Sequence, residues 1–164
     1  MKVENAPLAI NLAKLFMSTL VTTMETEFDS DIVIVELETL KSVLEELGLC
    51  FLNEEEIKEF SEKMLKLLKN SDEKKVLNKQ TLSEDLDEEE KEMVDDEIKR
   101  EEEVQVAISE LIGALFKTHK NMTLGLANYL IYNILPAVFI ENQTENMLKF
   151  GIFLIDDIVE FLGY

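Results

Sequence analysis

A run of carboxylates is the part of the sequence with the clearest chemical potential. Residues 84–103 contain thirteen acidic and three basic residues, a net charge of −10, whereas the whole chain of 164 residues carries −19. Clustered carboxylates speed the approach of basic proteins and accept charge-assisted hydrogen bonds from Lys and Arg. The composition alone favours a solvated, partly disordered charged segment, and the functional alternative is a binding surface for a basic partner. The predicted binding residues are Glu88, Glu89, Glu90, Asp95, Asp96, Glu97, Glu101 and Glu102.

A second group of carboxylates lies near the end of the chain. Asp156 and Glu160 are four residues apart and Asp157 and Glu160 are three apart, so in a helix all three share one face. Such a patch could bind Lys or Arg of a basic cargo, or it could be an ordinary acidic surface. Acid–base catalysis is not favoured, because no nucleophile, glycine loop or partner histidine accompanies them. We predict no catalytic residues and no enzyme activity.

The composition excludes several other classes of protein. A charge of −19 argues against nucleic-acid binding and against anionic membranes, since both need Lys and Arg. The single cysteine, Cys50, cannot form an internal disulfide, and we expect it to be a small buried hydrophobe. The single histidine, His119, is expected near a helix end, where a positive charge is favoured, and it has no second ligand nearby in sequence. We therefore predict neither a metal site nor a cofactor.

The elements that position these residues are predicted to be helices. Apolar residues recur at steps of three and four almost throughout, and five Gly and two Pro suit long helices with short connections. Asp29 can cap a helix that Gly48 ends, and Asn53 with Glu56 forms a capping box. Residues 121–140 carry no charge, but their polar residues indicate a buried amphipathic helix and not a membrane span. The N-terminus does not have the pattern of a signal peptide.

Helix pairs recur along the chain at a regular spacing. First helices are expected to open near Pro7, Asn53 and Asn121, and the second interval shortens to about 40 residues once an acidic insertion is removed. A period of about 40–47 residues is typical of HEAT or armadillo solenoids. We predict an all-α HEAT-repeat solenoid of three antiparallel pairs. A closed helical bundle or an EF-hand-like array remains open, although the chain lacks a calcium loop of the required spacing.

The predicted repeats have the following boundaries. Repeat 1 covers residues 7–48, repeat 2 covers residues 53–120 and repeat 3 covers residues 121–163. The acidic insertion, residues 71–103, lies inside the second pair. Its apolar residues are too sparse to predict a core stripe, so we expect a long exposed helix with a disordered approach, or a wholly disordered loop.

Residues 151–160, GIFLIDDIVE, resemble a helix of one HEAT repeat of the importin-β (karyopherin-β) superfamily and, within it, of the importin beta-3 (Ran-binding protein five) branch. Residues 43–48 followed by residues 50–55 resemble a helix end and a capped restart, and Leu135-Pro136 resembles the end of the next first helix. The acidic insertion also falls between the two helices of one repeat, as it does in that branch.

The resemblance implies a segment of about three HEAT repeats from a soluble nuclear import receptor. It implies binding of Ran-GTP through the acidic insertion. It also implies binding of basic cargo such as nuclear localisation signals, ribosomal proteins or histones, with Asp156, Asp157 and Glu160 facing the cargo. Such a receptor shuttles between cytoplasm and nucleus through the pores of the nuclear envelope, without inserting into a membrane. The alternative is an acidic HEAT-repeat scaffold or chaperone for basic proteins that does not depend on Ran.

Overall fold

The computed structural model describes residues 6–48, 51–82, 86–141 and 143–163, and most of these are helical. The helices are α1 (Ala6–Met24), α2 (Ser30–Leu47), α3 (Glu54–Thr81) and α4 (Glu88–His119), then a 3-10 turn (Lys120–Thr123), α5 (Leu124–Tyr129), a π-helical turn (Leu130–Ile134), α6 (Leu135–Val138) and α7 (Glu145–Leu162). The predicted fold class, an all-α HEAT-repeat solenoid, is confirmed. Cys50, predicted to be buried, lies outside the described residues.

Short-range sequence signals decide where the helices begin and end. Asp29 caps α2, and its side chain accepts a hydrogen bond from the Asp31 N–H at 3.0 Å. Asn53 and Glu56 form the predicted capping box at the start of α3, which satisfies backbone N–H groups that the first turn leaves free. Gly48 ends α2 with a φ of 74°, a left-handed conformation that glycine adopts without steric cost.

Ion pairs between helices show how the pairs stack. In each set of ion pairs, the residue nearer the N-terminus of one helix pairs with the residue nearer the N-terminus of the other. Helix α1 therefore runs parallel to α3, and α2 runs parallel to α4. Lys14–Glu56 (2.7 Å) joins α1 to α3, and Lys66–Glu25 (3.6 Å) joins α3 to the residue that follows α1. Lys41–Glu110 (2.6 Å) and Lys117–Glu45 (3.3 Å) join α2 to α4. First helices therefore lie beside first helices and second helices beside second helices, which is the arrangement of a solenoid.

Helix α4 is the centre of the core. Helices α2, α3 and α7 all pack against it, and its C-terminal half is buried on nearly every side. Full burial of one such aliphatic or aromatic side chain contributes roughly 1.5–3 kcal/mol. The fully buried apolar residues of this half are Ile108, Leu111, Ile112, Leu115 and Phe116, and they meet Leu37, Leu40 and Leu44 of α2 and Leu154 of α7 within one core.

The predicted acidic insertion is built into the helix pair. Residues 71–81 are the last three turns of α3, and residues 88–103 are the first half of α4. Of the two forms expected for this segment, the described residues therefore adopt the helical one. The described part of the segment belongs to the two helices of the second pair: α3 ends within it at Thr81 and α4 begins within it at Glu88.

Two helices expose rows of large apolar side chains. Leu8, Leu12, Leu15 and Phe16 of α1 are exposed, as are Ile152, Ile155 and Val159 of α7. Of the described helices, only α1, over Pro7–Met24, is long and apolar enough by length and composition to cross a membrane. Its other side packs Met17, Val21 and Met24 into the core. In a solenoid these exposed rows correspond to the flanks that a neighbouring repeat covers.

His119 closes the junction between the first and second pairs. It is only 1% exposed, although we expected it to carry a favourable charge at a helix end. Its Nε2 accepts a hydrogen bond from the Leu52 backbone N–H at 3.2 Å, and the ring of Phe51 lies edge-on to it. Burial lowers the pKa of His119 below its usual value. The expected role at the helix end is therefore wrong: the neutral imidazole is a hydrogen-bond acceptor within the core.

We predict that stability falls as His119 is forced to take up a proton. Its pKa in the folded state lies below the unfolded value of about 6.5, so its contribution is complete above that pH and is lost as the pH falls below it. Urea unfolding of the native chain and of His119→Gln, at pH 7.5 and pH 5.5, measures this. The glutamine oxygen can still accept from Leu52. We expect the native chain to lose on the order of 1 kcal/mol more than the variant. An equal loss in both would contradict a neutral buried histidine.

Candidate functional site

The exposed part of the acidic run lies at the start of α4. Residues 87–97, which we call the acidic arm, contain eight acidic residues and one lysine, a net charge of −7. Six of the eight predicted binding residues lie on this arm and are exposed, namely Glu88, Glu89, Glu90, Asp95, Asp96 and Glu97. Glu92 is exposed on the same arm and was not among the predicted residues, although it belongs to the same run of charge. The arm presents a row of carboxylates to solvent on a helix.

Local hydrogen bonds hold the arm in helical form. Asp87 accepts from the Glu90 N–H at 2.9 Å, and Glu90 accepts in return from the Asp87 N–H at 3.0 Å. The acidic first turn also stabilises the positive end of the helix dipole. Glu88 pairs with Lys91 at 3.0 Å, and such an exposed pair contributes little. Glu90 is thus committed to the helix cap, whereas most of its neighbours are free to meet a partner.

Glu101 and Glu102 are not part of the exposed arm, and the prediction that they bind a partner is wrong. They are 4% and 3% exposed. Glu101 accepts from the Ser30 hydroxyl at 2.8 Å and from the Lys74 ammonium at 3.0 Å, and Glu102 accepts from the Thr144 hydroxyl at 2.8 Å. These carboxylates face neighbouring helices and are inaccessible to another protein.

The spacing of the buried positions could have revealed this. Ile98, Glu101, Glu102, Gln105 and Ile108 are all buried, and they recur at steps of three and four along α4. Three of the five are polar, so a search for apolar residues alone does not detect this buried stripe. These polar residues lie on the same face of α4 as the apolar residues of its second half, at the same spacing of three and four. That shared spacing indicates from sequence that they are buried.

The second predicted group lines a groove between α2, α4 and α7. Asp157 of α7 lies directly over Gly113 of α4, and a Cβ at that glycine would come within 2.0 Å of the Asp157 Oδ2. The missing side chain at position 113 is what allows the carboxyl group to enter the groove. The groove has a volume of about 330 Å³. Asp156 lines it as well, whereas Glu160 is exposed nearby on α7.

The charges in this groove do not balance. Lys41 and Lys117 also line it, and each is already paired with a glutamate, Glu110 and Glu45 respectively. Among the described residues, neither Asp156 nor Asp157 has an ion pair or a hydrogen bond through its side chain. Within the described part of the chain, the groove therefore contains two carboxyl groups without a partner, beside two lysines whose charges are already paired.

The environment of Asp157 opposes its ionisation. Partial burial, together with the charges of Asp156 and Glu160, raises the pKa of Asp157 to about 6, although Lys41 acts in the opposite direction. Glu110 adds to the rise. A cation placed in the groove would relieve this strain, because opposite charge nearby favours the ionised carboxylate. The arrangement suits a Lys or Arg side chain.

Metal binding has less support in the described residues. Across residues 6–48, 51–82, 86–141 and 143–163, no three His, Cys, Asp or Glu side chains are grouped so that they could hold a metal ion. The groove and the arm both offer carboxylates towards solvent. Their common chemistry is the binding of positively charged groups.

One comparison with known proteins yields a match. The family model described as Importin repeat 6 matches residues 32–149, which is more than half of the chain. The matched segment begins in α2 and ends in α7, so it includes the acidic arm, Glu101, Glu102 and Gly113. No curated protein matches the chain.

We predict that Glu101 contributes to stability and that its exposed neighbours do not. Glu101→Ala leaves the half-buried Ser30 hydroxyl without its acceptor and removes the partner of Lys74, so we expect a loss of about 2 kcal/mol in the free energy of unfolding. Glu97→Ala, one turn earlier on the same helix, should change it by less than about 0.5 kcal/mol. Urea unfolding measures both. Equal small losses would contradict the buried position of Glu101.

We predict that Asp157→Asn stabilises the fold at neutral pH. The folded pKa of about 6 lies above the unfolded value, so the charged carboxylate costs stability above pH 6. That cost diminishes as the pH falls through 6 and is absent below the unfolded pKa of about 3.9. We expect a gain on the order of 1 kcal/mol at pH 8 and none at pH 4, measured by urea unfolding. Asp95→Asn, at an exposed position of α4 outside the groove, is the control. A loss of stability in Asp157→Asn at pH 8 would refute the assignment.

Proposed function

Because the chain belongs to the importin repeat 6 family, we propose that it is a segment of a nuclear transport receptor that binds basic cargo proteins and Ran-GTP. The observation that carries this proposal is the acidic arm, where exposed carboxylates project from a helix and few of them are neutralised. The helices of the importin-type HEAT repeats hold these charged residues in position. The arm and the groove supply two surfaces for positively charged partners.

The acidic arm is proposed to bind Ran-GTP. A net charge of −7 on residues 87–97 creates a field that steers a basic surface and speeds its association. The effect weakens with salt, since exposed charges are screened beyond about 8 Å at physiological ionic strength. A helical arm also presents its carboxylates in a fixed row, so less conformational entropy is lost on binding than from a flexible segment.

The groove between α2, α4 and α7 is proposed to bind basic cargo. A Lys or Arg side chain of the cargo would pair with Asp157 on Gly113, with Asp156 and Glu160 adding negative charge. Nuclear localisation signals, ribosomal proteins and histones have the required basic character. The charged Asp157 costs stability in the free protein, and a bound cation offsets that cost. A receptor with these partners works in both cytoplasm and nucleus and passes through nuclear pores.

The proposal predicts that neutralising the arm weakens binding to Ran-GTP. The arm variant carries Glu88→Gln, Glu89→Gln, Asp95→Asn, Asp96→Asn and Glu97→Gln. Glu90 is left in place because it caps α4. We expect an affinity loss of about tenfold at low salt and a shallower dependence on salt. Isothermal titration of the whole chain with Ran loaded with GTP, across a salt series, measures both.

The matched control neutralises five exposed acids outside the arm. Glu38→Gln, Glu46→Gln, Glu54→Gln, Glu62→Gln and Glu73→Gln change the net charge by the same amount. We expect the control to bind within about twofold of the native chain. If the arm variant and the control lose affinity equally, net charge alone is responsible, and the proposed role of the arm is wrong.

A Ran-independent scaffold or chaperone for basic proteins is the second candidate, favoured by the same exposed carboxylates. The two functions differ in nucleotide dependence. A receptor binds Ran-GTP in preference to Ran-GDP and releases a basic cargo peptide when Ran-GTP is added. A scaffold binds both forms of Ran and an unrelated basic protein such as lysozyme equally. Equal binding in that comparison would contradict the receptor function and support the scaffold function.

A further inference from the structure

A groove larger than the one at Asp157 shares no residue with that groove or with the acidic arm. It has a volume of about 610 Å³ and lies between α3, the first helix of the third pair and the start of α7. Apolar side chains line part of it, namely Leu65, Leu68, Ile134, Val138, Met147 and Phe150. The other lining residues are mostly polar, and they include all the charged residues of the groove.

The charge of this groove is opposite to that of the chain. Lys66, Lys69, Lys75 and Lys79 line it together with a single acid, Asp72, so its lining carries +3 in a protein of −19. All five residues lie on α3, spread along one side of the helix. Two of these lysines pair with acids outside the lining, Lys66 with Glu25 at 3.6 Å and Lys69 with Glu73 at 3.4 Å. Among the described residues, Lys79 has no ion pair or side-chain hydrogen bond. A positive strip of this kind on an acidic protein is not accounted for by basic cargo or by Ran.

Lys75 is a buried ammonium group whose one ion pair among the described residues, with the exposed Asp72 at 3.7 Å, is long. It is 5% exposed, and its Nζ donates to the Gln105 Oε1 at 2.8 Å and to the Met147 Sδ at 3.2 Å. A thioether is a weak acceptor. Burial lowers the pKa of Lys75, in keeping with an ammonium group that lacks full solvation. A carboxylate entering the groove would satisfy it better than the sulfur does.

The backbone is irregular at the rim of the same groove. The π-helical turn Leu130–Ile134 contributes Asn133 and Ile134 to the lining, and the Asn133 side chain donates to the Tyr129 carbonyl at 2.9 Å. π-helical turns are rare, and they occur frequently at functional sites. The groove therefore combines a buried ammonium, a row of lysines and a helical distortion in one place.

The length of the groove favours a peptide over a small molecule. Its lining runs along α3 from Leu65 to Lys79, which at 1.5 Å per residue is roughly 21 Å. An extended peptide of about six residues has this length. We propose that this lysine-lined groove binds an acidic peptide segment of a partner protein, with an apolar side chain seated among its apolar residues. The lysines supply charge-assisted hydrogen bonds, and Lys75 receives one carboxylate directly.

Selection from a library of random twelve-residue displayed peptides, with the whole chain as bait at physiological salt, tests this proposal. We expect enrichment of sequences that combine several Asp or Glu with at least one large apolar residue. The enriched peptides are then synthesised with a fluorescent label, and their affinity is measured by fluorescence anisotropy. Lys79→Glu should weaken binding about tenfold. Ala137→Trp, which fills the groove from an exposed position without changing charge, should weaken it as well.

Lys58→Glu is the matched control, since Lys58 is an exposed lysine of α3 that does not line the groove. Its affinity should stay within about twofold of the native chain. The absence of any enrichment would overturn the proposal, as would enrichment of basic peptides or of apolar peptides without acids. Equal losses in Lys79→Glu and Lys58→Glu would also overturn it, because binding would then follow net charge and not the groove.

Discussion

The structure depends on the burial of two carboxylates in the middle of α4. Glu101 receives the hydroxyl of Ser30, in the first turn of α2, and Glu102 receives the hydroxyl of Thr144, the N-cap of α7. Each carboxylate thus lies at the positive end of a helix that belongs to another pair, where negative charge is favoured. Lys74 of α3 completes the layer through Glu101. One turn of α4 thereby fixes the first and third pairs against the second.

The same run of acids serves two purposes because α4 passes from solvent into the core. Up to about Glu97 its carboxylates are exposed, and from Ile98 onwards one face of the helix is buried. Repulsion between like charges four residues apart costs a few tenths of a kcal/mol each. The capping box at Asp87 and the packing of the later turns offset that cost, so the arm is held as a continuation of a well-anchored helix.

The three charged surfaces suit partners of different charge. The arm and the groove at Asp157 are negative and suit basic partners, whereas the groove along α3 is positive and suits an acidic one. Both grooves retain a strained charged group, Asp157 in one and Lys75 in the other. Such groups cost stability in the free protein, and a ligand of opposite charge relieves the strain. This is the usual compromise between stability and function at binding sites.

The sequence alone determined those features of the fold that depend only on residues close together in the chain. Helical periodicity, the caps at Asp29 and Asn53, and the helix end at Gly48 were all predictable, because each relies on contacts within a few positions. The sequence also located the exposed carboxylates of the arm. Tertiary structure alone decided which acids of one continuous run are buried. Ser30 is 71 residues from Glu101 and Thr144 is 42 from Glu102, so their pairing depends on how three helix pairs stack. A carboxylate can enter a core only when such partners satisfy it, and local pattern carries no information about partners so distant in sequence.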